Sequence, residues 1–396
     1  MIGNRPTPPT RNGTIRFAVP VLAAVQFVIV VDETAIALLG PQVAHEFATG
    51  DEIRHLLITP FAAAFVMLLP LTALALRGLD PRRAVGPAAV AFAVSAAAGA
   101  LAPSVAWLVA ARAAQGATAA VATTCVLASL HLVTMHSSRR TRDFAIFSVL
   151  SGAGAMAALL IAAPIATASW RWCFWAVGSA AMVCALGWRA IRGAVGGAAA
   201  ETRAVTDQST SVAHGAAGLG RPGAVRTFVS VVAANAVLSA TVITASFALQ
   251  QDHGWTPMST GLAFLALNAA AAAGAVIVGR SHSGRSGRLL TLGGIALAVG
   301  CAGIAVVPDT PLALIGATVP VGLGIGVVFP IVNDRALMVA TSRPLGGAAA
   351  LGTTQQVGLA SGAVVAALHS GIALAVLAAA VALVVVVCMS REPTES

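Results

Sequence analysis

Three ionisable side chains fall inside stretches that are otherwise apolar: Asp32 and Glu33 in FVIVVDETAIALLG, and Arg112 in VAWLVAARAAQGATAAV. A charge at mid-membrane costs at least ~2.5–3.5 kcal/mol on insertion scales, so each needs a partner or a water-filled cavity. A carboxylate beside a permanent cation can do one kind of chemistry, the reversible gain and loss of a proton. On a helix, Glu33 points about 100° away from Asp32, so the two acids do not both face one narrow cavity.

The elements that carry these residues follow from composition. Of 396 residues 58% are hydrophobic and only 9% charged, and the mean hydropathy is +0.89. A water-soluble globule could not hide that much apolar surface. Charges arrive in short clusters between apolar runs of about twenty residues, the pattern of a polytopic helical membrane protein. A β-barrel's alternation is missing. The runs predict twelve spans near 17–40, 56–76, 84–102, 105–132, 144–167, 172–191, 227–250, 259–279, 289–307, 312–332, 346–368 and 371–389. The Gly-, Ala-, Ser- and Thr-rich segment 192–226 reads as a flexible linker between two six-helix halves, 17–191 and 227–389, with tails at 1–16 and 390–396. The fold class expected is therefore all-α, with twelve transmembrane helices in two pseudo-symmetric bundles. The N-terminal tail is too polar and proline-rich for a cleavable signal.

The basic residues are all arginines, 23 in number. With the N-terminus in the cytoplasm, 20 of the 23 fall in cytoplasmic segments, while only Arg54 and Arg171 face outward and Arg112 stays within the membrane. Glu46, Asp51, Glu52, Asp252 and Asp309 fall on the other face. The positive-inside rule therefore predicts both termini cytoplasmic, and the lack of lysine with many Ala, Gly and Val has the look of a high-GC bacterial coding bias, so a bacterial plasma membrane is expected. Asp32 then lies about 8 Å, and Arg112 roughly 10 Å, below the outer boundary of a ~30 Å core, from a rise of 1.5 Å per residue. Opposite charges at matching depth on the first and fourth helices predict a shared pocket. The same pairing also suits a purely structural tie between those helices.

The second half carries uncharged polar groups instead: Asn235, Gln250, Gln251, Asn268, Gln355 and Gln356. Asp334 is expected at the cytoplasmic end of the tenth helix beside Arg335. Amides at a repeat interface suit a mostly apolar ligand with a few polar handles, and each suits helix–helix hydrogen bonding as well. Other chemistry lacks its residues. The five cysteines show no paired spacing, so neither metal nor disulfide is expected. The GLGIGVV run at Gly322 lies within a span, no phosphate-binding loop occurs, and no nucleophile–base set assembles, so no cofactor and no enzyme is expected. His131, His136 and His369 stand isolated near helix ends. The basic charge belongs to loops rather than to a nucleic-acid surface.

Several stretches carry a family resemblance. AAVQFVIVVDETAIALLGPQVAHEF resembles the first-helix signature of the drug–proton antiporters of the major facilitator superfamily, and ARAAQGATAA resembles that superfamily's fourth-helix Arg-Gln-Gly motif. SWRWCFW is similar to the segment opening the sixth helix, and GLGIGVVFP and GGAAALGTTQQVGLASGAVVAAL to the tenth and eleventh. The 2–3 loop, LALRGLDPRRAVG, keeps Arg77, Arg82 and Arg83 but has Leu76 where the family's acid stands, with Asp80 as a substitute. The fifth-helix Gly-Pro-Gly-Gly pattern of exporters is largely replaced in GAGAMAALLIAAPIATASW.

The resemblance implies a monomeric secondary transporter that expels a small, largely apolar organic compound in exchange for protons. Asp32 and Arg112 are the expected proton-coupling pair. Gln26, Glu33, Gln115, Asn235, Asn268, Gln355 and Gln356 are the candidate cavity residues. Arg77, Asp80, Arg82, Arg83, Arg280, Arg285 and Arg288 are the expected cytoplasmic gate. A proton-symport importer of a metabolite is the transporter alternative, favoured by the altered fifth-helix motif. A non-transporting membrane sensor or scaffold is the alternative from another class.

Overall fold

The computed structural model describes residues 11–49, 53–135, 137, 139–158, 160, 165, 168–206, 222–281, 286–306, 310–339 and 344–367. They are helical with short connections, and no strand occurs among them. The elements are α1 (Arg11–Phe47), α2 (Ile53–Ala75), α3 (Pro81–Ala100), α4 (Val105–Thr134), α5 (Arg140–Ala157) and α6 (Trp170–Thr206). They continue as α7 (Pro222–Phe247, followed by a π-helical turn over Ala248–Asp252), α8 (Pro257–Ala263 and Leu265–Arg280), α9 (Ser286–Val306), α10 (Pro311–Val339) and α11 (Pro344–Ala367). Among the described residues, nine segments are long and apolar enough to cross a bilayer. The span expected at 371–389 lies outside the described residues, as do both terminal tails up to residue 10 and from 390.

Local signals set the starts. Asp80 caps α3 by accepting a hydrogen bond from the Arg82 backbone N–H at 3.0 Å, with Pro81 in the first turn. Ser104 accepts from the Trp107 N–H at 3.3 Å ahead of α4, and Thr256 from the Ser259 N–H at 3.1 Å ahead of α8. Two boundaries differ from the sequence reading. Helix α6 does not stop at 191 but runs on to Thr206, into the segment read as a flexible linker. Alanine is the strongest helix former, and no proline interrupts the chain before Pro222. Residues 207–221 lie outside the described part. Helix α10 likewise runs past the expected 332 to Val339, so Asp334 lies near its end but still within it.

The packing repeats after six helices. α2 packs on α4 as α8 packs on α10; α3 on α4 as α9 on α10; α1 on α5 as α7 on α11. Lipid supplies no hydrophobic drive for helix association, so close backbone approach has to hold such pairs. Glycine permits it at equivalent places. A β-carbon at Gly116 of α4 would overlap the Phe61 carbonyl of α2, and one at Gly326 of α10 would overlap the Ala271 carbonyl of α8. Gly154 against Phe27 in the α5–α1 pair is matched by Gly362 against Ala236 in the α11–α7 pair. Large apolar side chains are left outward, among them Met67, Leu71 and Leu74 of α2, Leu186 of α6, and Leu292 and Ile295 of α9. α4, by contrast, is buried along most of its length. The inner helices thus position the polar residues, and the outer ones meet lipid.

The halves join through α5 against α8 and α10, and through α2 and α4 against α11. The close approaches between them cluster at the arginine-rich end of the bundle. Arg142 and Ala145 of α5 lie against Gly279 of α8, and Leu69 of α2 against Gly352 of α11.

Candidate functional site

The structure brings Asp32, Arg112 and Gln115 into one buried hydrogen-bonded group. Arg112 Nη1 donates to Asp32 Oδ2 at 2.8 Å and to Gln115 Oε1 at 2.9 Å, and Gln115 Nε2 donates to Asp32 Oδ1 at 3.0 Å. Both carboxylate oxygens therefore accept, an arrangement that uses the ionised form. Arg112 and Gln115 are 0% exposed and Asp32 4%. The spacing of Arg112 and Gln115, one helical turn, puts both on the face of α4 that meets α1.

Four helices hold the guanidinium. Arg112 Nε donates to the Leu57 carbonyl of α2 at 3.1 Å. Its Cζ lies 4.5 Å from the ring centroid of Phe61 on α2 and 5.9 Å from that of Phe174 on α6. A cation over aromatic faces gains attraction there without water. Nη2 is buried and has no hydrogen-bond partner among the described residues. Sequence reading missed Leu57, Phe61 and Phe174, which carry no charge to draw attention to them.

Glu33 lies one residue beyond Asp32 and has a different environment. It is exposed, and it accepts no hydrogen bond among the described residues, yet protein surrounds it and both Asp32 and Arg112 are within electrostatic reach. Gln26 is half-buried, and its Oε1 has no partner among the described residues. In the second half, Asn235 bonds back to the Val231 carbonyl at 2.9 Å and Asn268 to the Phe264 carbonyl at 2.9 Å, each within its own helix. Gln355 of α11 donates to Asn333 of α10 at 3.4 Å, and Gln356 is half-buried beside it.

A second polar cluster, at the arginine-rich end, was not expected. Arg140 at the start of α5 forms an ion pair with Asp334 of α10, which joins the two halves. Its Nη2 also lies 3.0 Å from His131 Nδ1 on α4. Arginine can only donate, so that nitrogen accepts and the imidazole is neutral with its proton on Nε2. His131 is 1% exposed and Asp334 8%; His131 is therefore not isolated as the sequence suggested, and the partner of Asp334 is Arg140 of the other half. The expected gate residues are arranged otherwise. Asp80 pairs with Arg82 within its own loop, Nε to Oδ1 at 2.9 Å and Nη2 to Oδ2 at 3.0 Å. Arg77, Arg83, Arg280 and Arg288 are exposed and form no ion pair among the described residues, and Arg285 lies outside them.

The opposite end has its own clamp. Glu46 at the end of α1 accepts from Trp170 Nε1 at 2.6 Å and from Arg171 Nη2, while Arg171 Nη1 donates to the Ala100 and Ala102 carbonyls at 2.9 Å each. The Trp-Arg pair thus ties α1, α3 and α6 within the first half. Burial pushes the Glu46 carboxyl up, but the hydrogen bonds from Arg171 and Trp170 outweigh it and hold the group below its ordinary value.

Known proteins resemble this chain in sequence and in fold. The family model described as Major Facilitator Superfamily matches residues 22–376. The puromycin resistance protein pur8 of Streptomyces alboniger is 26% identical over 399 aligned residues, covering 86% of this chain and 79% of that protein. The solved structure of the human organic anion transporter MFSD10 (TETRAN) superposes with a TM-score of 0.72 over 97% of this chain and 99% of that one. Its sequence identity is 15%, so this likeness is one of fold.

Proposed function

The chain belongs to the major facilitator superfamily, and we propose that this multi-pass membrane transporter exports a small, largely apolar organic compound from a bacterial cell in exchange for protons. The observation that carries the reading is the buried Asp32–Arg112–Gln115 group. A titratable acid sits between two helices of one half, hydrogen-bonded by a fixed cation and an amide. Protonation of Asp32 removes one charge of that pair. The hydrogen bonds that tie α1 to α4 then weaken, and the interface between those helices can adopt a second arrangement. Proton entry thereby becomes a change in helix packing, which is what alternating access requires.

The side from which protons arrive has separate support. The Arg140–Asp334 pair and the close contacts near Gly279 and Gly352 all lie at the arginine-rich end, which the distribution of arginines makes cytoplasmic. With that end closed, protons would enter toward the buried triad from outside, the side from which the gradient drives them inward. The relative pur8 is named for puromycin resistance, which favours a toxic organic compound as cargo.

The test is Asp32→Asn, which keeps size and hydrogen bonding but removes the titrating site. In a drug-sensitive host and in everted membrane vesicles, puromycin serves as the first probe within a panel of apolar toxins. The variant should insert, with lowered stability, and at matched protein level should lose accumulation driven by a pH gradient. Accumulation equal to wild type would leave Asp32 a structural residue and end the proton-coupling reading.

A further inference from the structure

An aromatic column on α6 joins the outer clamp to the buried pair. Trp170 and Phe174 are four residues apart, about one helical turn, so both point to the same side of α6. At the outer end, the Trp170 indole N–H donates to Glu46 Oε2 at 2.6 Å. The Trp170 ring meets that of Phe174 edge-on, with centroids 5.8 Å apart and planes at 82°. The Phe174 centroid in turn lies 5.9 Å from Arg112 Cζ. Glu46 and Asp32 both belong to α1, and their separation in sequence corresponds to about 21 Å along that helix. The column thus leaves α1 at its outer end and returns, through α6 and α4, to its middle.

Phe174 has little room to stand elsewhere. It is 2% exposed, and a β-carbon at Gly99 of α3 would come within 2.8 Å of its ring. That packing fixes the ring, and the ring limits where the guanidinium can lie. Hydrogen bonds hold Arg112 through Nε and Nη1, while Nη2 has no partner among the described residues. Phe61 also faces the cation, but from α2, which the Leu57 carbonyl already ties to it. Phe174 adds a contact from a separate helix. The other titratable groups within electrostatic reach of Asp32 are Glu33 on α1 and the Cys173 thiol on α6, while the charges of α5 lie at its arginine-rich start.

We propose that Phe174 is a positioning residue for the proton site: it holds Arg112 against Asp32 and makes that hold depend on the Glu46–Trp170 clamp. The proposal rests on Asp32 being the group that carries the proton. With the ring gone, Arg112 supports the carboxylate less, and the neutral form of Asp32 gains.

The test is pH-titrated infrared difference spectroscopy of the full-length protein in lipid bilayers. The signal is the carbonyl stretch of a protonated carboxyl that Asp32→Asn removes. In Phe174→Leu its midpoint should rise by roughly 0.5–1 pH unit, the equivalent of a lost cation–aromatic contact. Phe174→Tyr keeps the ring and should stay near the wild-type midpoint. Phe92→Leu is the packing control, since Phe92 of α3 is 1% exposed and has no ring contact with Arg112 among the described residues. It should lower stability and leave the midpoint alone. Trp170→Leu interrupts the column one step earlier, so it should raise the midpoint by itself and add nothing to Phe174→Leu. An unmoved midpoint in Phe174→Leu or Trp170→Leu, an equal shift in Phe174→Tyr or Phe92→Leu, or additive shifts in the double variant would overturn the proposal and leave Asp32 as the proton site. Absence of the band in the wild type would instead end the proton-coupling reading, and this proposal with it.

Discussion

Removing one member of the Asp32–Arg112 pair should cost far more than the pair contributes. Two unit charges about 4 Å apart at an effective dielectric of 20 attract by about 4 kcal/mol. Desolvation of each buried ion opposes this by several kcal/mol. The two nearly cancel, so the intact pair adds little net stability, although each charge depends strongly on the other. Arg112→Ala strips the donor from Asp32 Oδ2, Gln115 Oε1 and the Leu57 carbonyl together. With these groups buried, the expected loss is about 3–5 kcal/mol. Asp32→Asn keeps an acceptor for Arg112 but leaves the guanidinium uncompensated, and a loss in the same range follows. The double variant leaves no unmatched charge. Its loss should fall short of the sum of the single losses by about 1–3 kcal/mol. Denaturant unfolding of the four purified proteins in one detergent, followed by tryptophan fluorescence, closes the cycle. Additivity within about 0.5 kcal/mol would show that the two residues do not depend on one another, and the shared-pocket argument would fall.

Other outcomes follow from the two ends of the bundle. Asp334→Asn or Arg140→Ala should loosen the arginine-rich end, so a single cysteine at Thr123 should be labelled faster by an impermeant thiol reagent in everted vesicles; an unchanged rate would remove Arg140–Asp334 as a latch. The Glu46 carboxyl is held below its ordinary value, so the clamp to Trp170 and Arg171 contributes stability that is complete above the unfolded value of ~4.3 and is lost as pH falls through the lower folded one. Melting temperature across an acid titration should show that loss in the wild type, and Glu46→Gln should flatten it; parallel curves would refute the assignment. For orientation, a cysteine at Ser209 should resist an impermeant reagent in intact cells while one at Asp51 reacts, and outside labelling at 209 would reverse the topology.

How much of this was legible in the sequence depended on how many partners each residue could have had. Asp32 and Arg112 are alone in long apolar runs. Each is costly unpaired, and a depth computed from helical rise was enough to bring them together. Gln115 was read as a cavity residue, whereas its place one turn beyond Arg112 brings it into hydrogen bonds with Arg112 and Asp32. The repeat of packing after six helices was visible only as a count of spans, because the glycine contacts that enforce it pair residues such as Gly116 and Phe61 from different helices. The extent of α6 was misjudged for a local reason. Glycine and polar residues after 191 suggested a linker, while the interspersed alanines keep the helix going to Thr206.

Arg140 and Asp334 show why the gate was not legible. Both lie near helix ends, where several charges compete: Arg139, Arg142 and Arg335 stand within a few residues of one or the other. Depth cannot choose among them, since all share it. The choice is made by rotation about the helix axes and by the approach of α5 to α10, which are properties of the assembled halves. The 2–3 loop misled by the same logic in reverse. Asp80 and Arg82 are two residues apart, so each satisfies the other locally, with the α3 N-cap made in the same contact. A charge with so near a partner has no need of the opposite half. A pairing is thus readable from sequence where burial leaves few candidates, and it passes to tertiary geometry where water and neighbouring arginines offer many. Glu33 stands at the boundary between these regimes. Its depth is Asp32's, and only the rotation of one residue along α1 separates a carboxylate locked to Arg112 from one that accepts no hydrogen bond among the described residues.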